Sequence, residues 1–190
     1  LLPRFRRIVR QTARELGKQI RLEVQGDQIR IDRAILNRMV APLEHILRNA
    51  VDHGVEAPEA RESNHKDGEG IVCLRVARDG PEVVIHIDDD GQGVALDAVR
   101  SRALQRELLQ PGAELSDDDL LQLIFEPGFS TRGSVTQISG RGVGLNVVQN
   151  EVKQLGGSVR AESTDGSGTS FVIRLPLTLA INQALMVAVG

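Results

Sequence analysis

Two strand pairs, each closed by a glycine-containing turn, constrain this 190-residue chain more than any other feature. Residues 71–77 meet residues 83–87 through Asp79-Gly80-Pro81, and residues 158–163 meet residues 169–175 through Asp165-Gly166-Ser167-Gly168. Val83, Ile85 and Ile87 fall on one face and Val84 and His86 on the other, the period-2 pattern of a half-buried strand. Hairpins joined by helical stretches predict an α+β fold, a two-layer α/β sandwich. Its sheet is mixed but mostly antiparallel, with helices packed on one face, and it is not a doubly wound parallel sheet.

The helical stretches have readable ends. Residues 5–16 form a basic amphipathic helix stopped by Gly17. Two short β-like runs, 20–24 and 29–31, flank a turn at Gly26-Asp27. Asp32 is an N-cap for a helix carrying Ile35, Met39, Val40, Leu43, Ile46, Leu47 and Ala50 and ending at Gly54. Pro42 predicts a kink or break inside it. Residues 58–70 read as polar and irregular, and residues 97–108 as a helix. Ser116 with Asp119 resembles a capping box opening a short helix with Leu120, Leu121, Leu123 and Ile124. A last helix starts near Gly142, with Val143, Val147, Val148, Val152 and Leu155 on one side, and ends at Gly156-Gly157.

Composition removes several classes of function. Apolar residues make up 41% and charged residues 26%, in the range of globular domains, and the length suits about one domain. The lone Cys73 cannot build a disulfide scaffold or a multi-cysteine metal site. A net charge of −3 and the absence of Trp and Tyr argue against nucleic acid as a partner. No apolar run is long enough for direct membrane insertion. The first residue is Leu1, not Met, so the chain is expected to be an excised piece of something longer.

Chemistry concentrates in four places. His45, Asn49 and Asp52 are spaced i, i+4, i+7, with His53 at i+8, on one face of the helix. Amide and carboxylate oxygens there suit a hard cation, and an imidazole can act as base or donor to phosphate; a solvated face with a satisfied histidine has equal claim. Asp88-Asp89-Asp90-Gly91-Gln92-Gly93 ends the alternating strand, where a carboxylate can accept from an exocyclic amine, or merely turn the chain. Ser139-Gly140-Arg141-Gly142-Val143-Gly144 runs into a helix and offers backbone N–H groups to an anion, without being a Walker or Rossmann loop; a flexible hinge is the other reading. Phe125-Glu126-Pro127-Gly128-Phe129-Ser130-Thr131 holds two of the four phenylalanines and looks like the anchor of a lid within a long, loop-like stretch. Gly166-Ser167-Gly168-Thr169 is by spacing a hairpin turn.

These clusters, in this order, resemble the Bergerat-type ATP-binding fold of gyrase, heat-shock chaperones, histidine kinases and MutL. His45 ahead of Asn49, the run Leu47-Arg48-Asn49-Ala50-Val51-Asp52-His53-Gly54, the Phe125–Thr131 stretch, the glycine loop and Glu151-Val152-Lys153-Gln154-Leu155-Gly156-Gly157 are similar to CheA-type chemotaxis histidine kinases. The match covers residues 20–176. Residues 1–17 resemble the end of a dimerisation or linker helix, residues 18–176 an ATP-binding kinase catalytic domain, and residues 177–190 a linker and the start of a CheW-like regulatory domain. Residues 135–139 are similar to CheA-type hybrids that govern type IV pilus motility.

The resemblance implies ATP as substrate and Mg²⁺ as cofactor. Position by position, His45, Arg48 and Asn49 would be catalytic, with Asn49 and His45 at the metal. Asn49, Asp52, His53, Asp89, Gly91, Gly93, Ser130, Thr131, Gly140, Arg141, Gly142, Val143, Gly144, Leu145 and Thr169 would bind the nucleotide, Asp89 accepting the adenine amino group. Residues 125–141 would form a nucleotide-sensitive lid. Implied partners are a histidine-phosphotransfer domain, a CheW-like coupling protein, a chemoreceptor array and a response regulator, in a bacterial cytoplasm. Three departures stand out: Ala98 where a phosphate-reaching lysine is common, Ala95 near an expected acid, and Leu145-Asn146 in place of Met-Asp. A missing lysine would slow turnover or weaken ATP affinity. No histidine here has the context of a phosphoacceptor, so transfer within this chain alone is not expected. A catalytically weakened nucleotide scaffold and a gyrase- or MutL-type ATPase are the competing readings.

Overall fold

The computed structural model describes residues 1–26, 31–129 and 144–177. Five strands form one sheet in the order β1-β2-β3-β5-β4: β1 Ile20–Gln25, β2 Gly70–Asp79, β3 Glu82–Asp89, β4 Ser158–Thr164 and β5 Gly168–Pro176. Three of the four contacts are antiparallel, as the hairpins predict; β1 runs parallel to β2, with Ile20 opposite Gly70. The chain between them is therefore a crossover, not a second turn of a hairpin. The expected strand at residues 29–31 and its turn at Asp27 fall largely outside the described residues.

That crossover holds α2 (Arg33–Asn49), a π-helical turn (Ala50–Gly54) and α3 (Pro58–Ser63). The Asp32 carboxylate caps α2 by accepting from the Ala34 N–H at 2.7 Å. Of the kink or break expected at Pro42, the break does not occur: α2 runs through it. Proline forfeits one backbone hydrogen bond, but Ile35, Met39, Leu43, Ile46 and Leu47 are all buried along the same helix, and their packing outweighs that loss. Residues 58–63, expected to be irregular, are the helix α3, opened by Pro58 in its first turn.

The remaining helices are α1 (Leu2–Glu15), α4 (Leu96–Gln105), α5 (Asp117–Gln122), continued by a 3-10 turn at Leu123–Phe125, and α6 (Leu145–Gln154). Ser116 caps α5, accepting from the Asp119 N–H at 3.1 Å. Phe5, Val9 and Ala13 place α1 in the common core with Val72, Leu74, Ile85, Ile87, Phe171 and Ile173 of the sheet. Along α6, Val148, Val152 and Leu155 are buried as expected, but Val147 is exposed, because it lies about 100° around the helix from Val148.

Candidate active site

The site grows from the meeting of two chain ends, the last turn of the α2 helix and the last residue of β3. The turn at Ala50–Gly54 is wound wider than an α-helix, with the Val55 N–H donating to the Ala50 carbonyl five residues back at 2.8 Å. The i, i+4, i+7 spacing expected for His45, Asn49 and Asp52 therefore holds only to Asn49, and the π turn re-aims Asp52 and His53. Lys18 secures this turn: its Nζ donates to the carbonyls of Val51, Asp52 and Val55 at 2.7–2.8 Å. A cation is favourable at a helix C-terminus, where carbonyls lack intrahelical partners.

Gly54 then lies against Asp89. A Cβ at Gly54 would stand 2.7 Å from the Asp89 Oδ2, and a Cβ at Gly91 would stand 2.0 Å from the Gly54 carbonyl oxygen. Only glycines allow this approach. The Asp89 carboxyl is buried, its Oδ1 accepts from the Gly91 N–H at 3.0 Å, and Thr169 pairs with it across the β3–β5 ladder. Burial pushes its pKa up to about 6, against the pull of backbone donors at Gly91 and Thr169 and with a smaller push from the charges of Asp90 and Glu56. Gly93 has φ +79°, and a side chain there would strike the Thr164 carbonyl. Thr169 is buried, with its Oγ1 3.2 Å from the Ser163 Oγ. A pocket of about 280 Å³ opens beside these residues, lined in part by Asp89, Ser163, Thr164, Gly168 and Thr169.

On α2 the Asn49 Nδ2 lies 3.2 Å from the His45 Nε2. Burial, then Arg48 and His53, lower the His45 pKa, so the ring is neutral at pH 7 and its Nε2 can accept from the amide. Arg48 is exposed. Asp52 and His53 lie on the π turn with Oδ2 and Nε2 3.5 Å apart, and the His53 carbonyl accepts from the Gln92 Nε2 at 3.0 Å. Gly144 is the N-cap of α6 and Leu145 its first residue; Arg38 ties α2 to that helix through Glu151 and Gln154. Ser130, Thr131, Gly140, Arg141, Gly142 and Val143, with most of the expected lid and the pilus-like segment, lie outside the described residues. The Phe125 ring, just before them, packs edge-on against Phe171 of β5 at 6.2 Å. Ala95 is the N-cap of α4 and Ala98 lies in its first turn, both exposed.

A family model matches the stretch of chain that builds this site. It is described as histidine kinase-, DNA gyrase B- and HSP90-like ATPase, and it covers residues 38–179. The chain belongs to this ATPase family. Among its relatives, the chemotaxis protein CheA of Treponema pallidum is 43% identical over 190 residues, all of this chain and 23% of that protein. CheA of Halobacterium salinarum is 45% identical over 192 residues, again the whole chain and 29% of the relative. The chain thus spans about a quarter of the length of the curated relatives it matches. A mycobacterial sensor histidine kinase, MprB, has the same fold: TM-score 0.52 at 22% identity, over 90% of this chain and 92% of that one. The likeness to CheA read from the motifs therefore extends over the full chain, and the ATPase family model covers residues 38–179 of it.

Sequence reading missed the residues behind the site. Arg61 and Lys66, in the stretch read as irregular, hold the Asp90-Gly91 backbone, and Lys18 caps the π turn. The bidentate pair of buried Arg61 with partly exposed Asp90 had one local sign, a third consecutive aspartate at the end of a strand.

Proposed function

We propose that this chain is the ATP-binding catalytic domain of a CheA-like histidine kinase. It transfers the γ-phosphoryl group of ATP to a histidine on a separate phosphotransfer domain in a chemosensory pathway. The observation that carries this reading is the buried Asp89 carboxylate, anchored by the Gly91 amide and covered by Gly54 at the end of the helix bearing His45 and Asn49. Asp89 accepts the adenine amino group, and Gly93 and Thr169 leave the base room to pack. Asn49 and His45 lie at the phosphate end, with Arg48, Asp52 and His53 shaping it and Gly144 and Leu145 opening the helix behind.

The donor set fits Mg²⁺. Among the described residues no three His, Cys, Asp or Glu side chains converge as a protein cage, and Mg²⁺ usually takes one or two protein oxygens and completes its shell with phosphates and water. With Asn49 Nδ2 turned to His45, the amide oxygen is the Asn49 atom that would hold it. When bound, Mg²⁺ neutralises charge on the phosphate oxygens. His45, held neutral, orients Asn49 through Nε2, and that same Nε2, once the Asn49 amide releases it, is the atom that takes a proton from the attacking imidazole. Residues 1–17 then read as the end of a dimerisation helix and residues 177–190 as the passage to a CheW-like domain. A coupling protein, receptor array and response regulator complete a cytoplasmic pathway, a reading supported by the likeness to CheA.

The test is calorimetry of ATP with and without Mg²⁺, followed by phosphorylation of an added histidine-phosphotransfer domain. Binding and transfer to the added domain are expected, with no stable label on this chain alone. Stable label on this chain would overturn the separate-acceptor reading, and absence of ATP binding would overturn the kinase reading. ATP binding without transfer would leave the scaffold reading, for which Ala98 is the motivating residue.

A further inference from the structure

Behind the Asp89 turn, at Asp90 and Gly91, lies a cluster of two cations and two carboxylates. The Arg61 side chain is almost wholly buried. Its Nη1 and Nη2 grip the Asp90 carboxylate at 3.1 and 2.9 Å, Nη1 also donates to the Asp90 carbonyl at 3.2 Å, and Nε donates to the Asp67 carbonyl at 2.6 Å. Lys66 reaches the same backbone from the other direction, its Nζ donating to the carbonyls of Asp90 at 2.9 Å and Gly91 at 2.7 Å. Glu56 joins the two cations, one oxygen to each. The Asp90 Oδ1 also accepts from the Ile71 N–H, which ties the turn to β2.

The Gly91 residue is thereby held at both ends: its carbonyl by Lys66, its N–H by Asp89. We propose that Arg61 and Lys66 are positioning residues for Asp89, fixing the Asp90-Gly91 backbone so that the carboxylate meets a purine 6-amino group and rejects a 6-oxo group. The proposal rests on the adenine role proposed for Asp89. An acceptor fixed in place repels a carbonyl oxygen and pairs with an amine, whereas a carboxylate free to shift can avoid the repulsion and loses the bond; discrimination depends on that fixity.

The experiment compares ADP with IDP, which differ at that exocyclic group, by calorimetry on the full chain. Lys66 sits at the partly exposed edge of the cluster, so Lys66→Met is the main variant, with its melting point confirming the fold; Arg61→Met, which empties a buried site, is a second. Wild type is expected to prefer ADP. In Lys66→Met the preference falls by about tenfold, the scale of one charge-assisted hydrogen bond, and Lys66→Arg recovers most of it. A purely structural role would weaken both nucleotides alike and leave their ratio unchanged. An unchanged ratio in Lys66→Met, with wild type discriminating, overturns the proposal and leaves Asp89 in its role. A wild type that binds both equally overturns the adenine reading and the proposal together.

Discussion

The side-chain amide of Gln122 takes both backbone hydrogen bonds of Ala161: its Oε1 accepts from the Ala161 N–H at 3.1 Å and its Nε2 donates to the Ala161 carbonyl at 2.8 Å. β4 is an edge strand, and this residue of α5 stands in for the strand that is not there. Gln122→Ala leaves two peptide groups of β4 without partners and is expected to cost about 1–3 kcal/mol. Chemical denaturation reads the loss, and faster amide exchange at Ala161 than at its β4 neighbours locates it.

Asp89→Asn tests the adenine contact. The amide presents an N–H₂ or a weaker oxygen where the carboxylate accepted, so ADP affinity is expected to fall roughly 10- to 100-fold. Calorimetry gives the number, and an affinity within twofold of wild type would remove Asp89 from the base site.

The same carboxyl makes opposite contributions to stability and binding as pH changes. Its pKa in the fold, about 6, lies above the ordinary value of 3.8, so the folded state binds the proton more tightly than the unfolded one. The stability from this group is complete below 3.8 and is lost as pH rises through 6. Asp89→Asn is therefore expected to be more stable than wild type at pH 7, with the difference shrinking toward pH 4. Nucleotide affinity runs the other way, weakening as pH falls through about 6 and the acceptor loses its charge. Thermal melts and ADP titrations from pH 4 to 8 track the two curves.

His45 carries the proton-transfer prediction. His45→Ala should leave ADP binding within a few-fold of wild type and slow phosphoryl transfer by roughly a hundredfold, the scale of a lost general base. Burial and the neighbouring Arg48 keep the ring neutral below the usual imidazole range, so the acid limb of the rate profile lies below pH 6.5. Arg48→Gln, by removing a cation, should raise that limb.

Lys18→Met leaves the carbonyls of Val51, Asp52 and Val55 without their ammonium. A loss of about 2 kcal/mol is expected from charged hydrogen bonds of this kind, seen in denaturant melts and in faster exchange of the Val55 amide. Lys18→Arg should restore part of it.

Legibility in the sequence differs by type of interaction. Both hairpins were legible because turn residues and alternation sit next to each other in the chain. Asp89, Gly91, Gly93 and Asn49 stand out in the sequence as candidates because their chemistry is concentrated in short motifs. The parallel pairing of β1 with β2 was not, since nothing local in residues 20–25 says which way a partner fifty positions on will run. The π turn is hidden because residues 50–54 carry no signal that departs from a 3.6-residue period. At Pro42 local propensity weighs one backbone bond and not the five buried side chains that carry the helix through it. Arg61 and Lys66 look like surface charges in the sequence: a buried cation and a solvated one have the same letters, and only the fold brings Asp90 to them.

The parallel contact of β1 with β2 also sets the order of assembly. Ile20 and Gly70 are neighbours in space, and the whole nucleotide helix is strung between them as a closed span. During synthesis α2 leaves the ribosome well before β2 exists to receive β1, so the helix bearing His45 and Asn49 must wait, helical or not, for a long-range closure of the kind that slows folding. A chain begun after β1 would keep His45, Asn49, Asp89 and both hairpins, yet lose the strand that cinches the span. With it go α1 and Lys18, which holds the π turn, so the span should reopen more readily at the end of α2 although His45, Asn49 and Asp89 all remain.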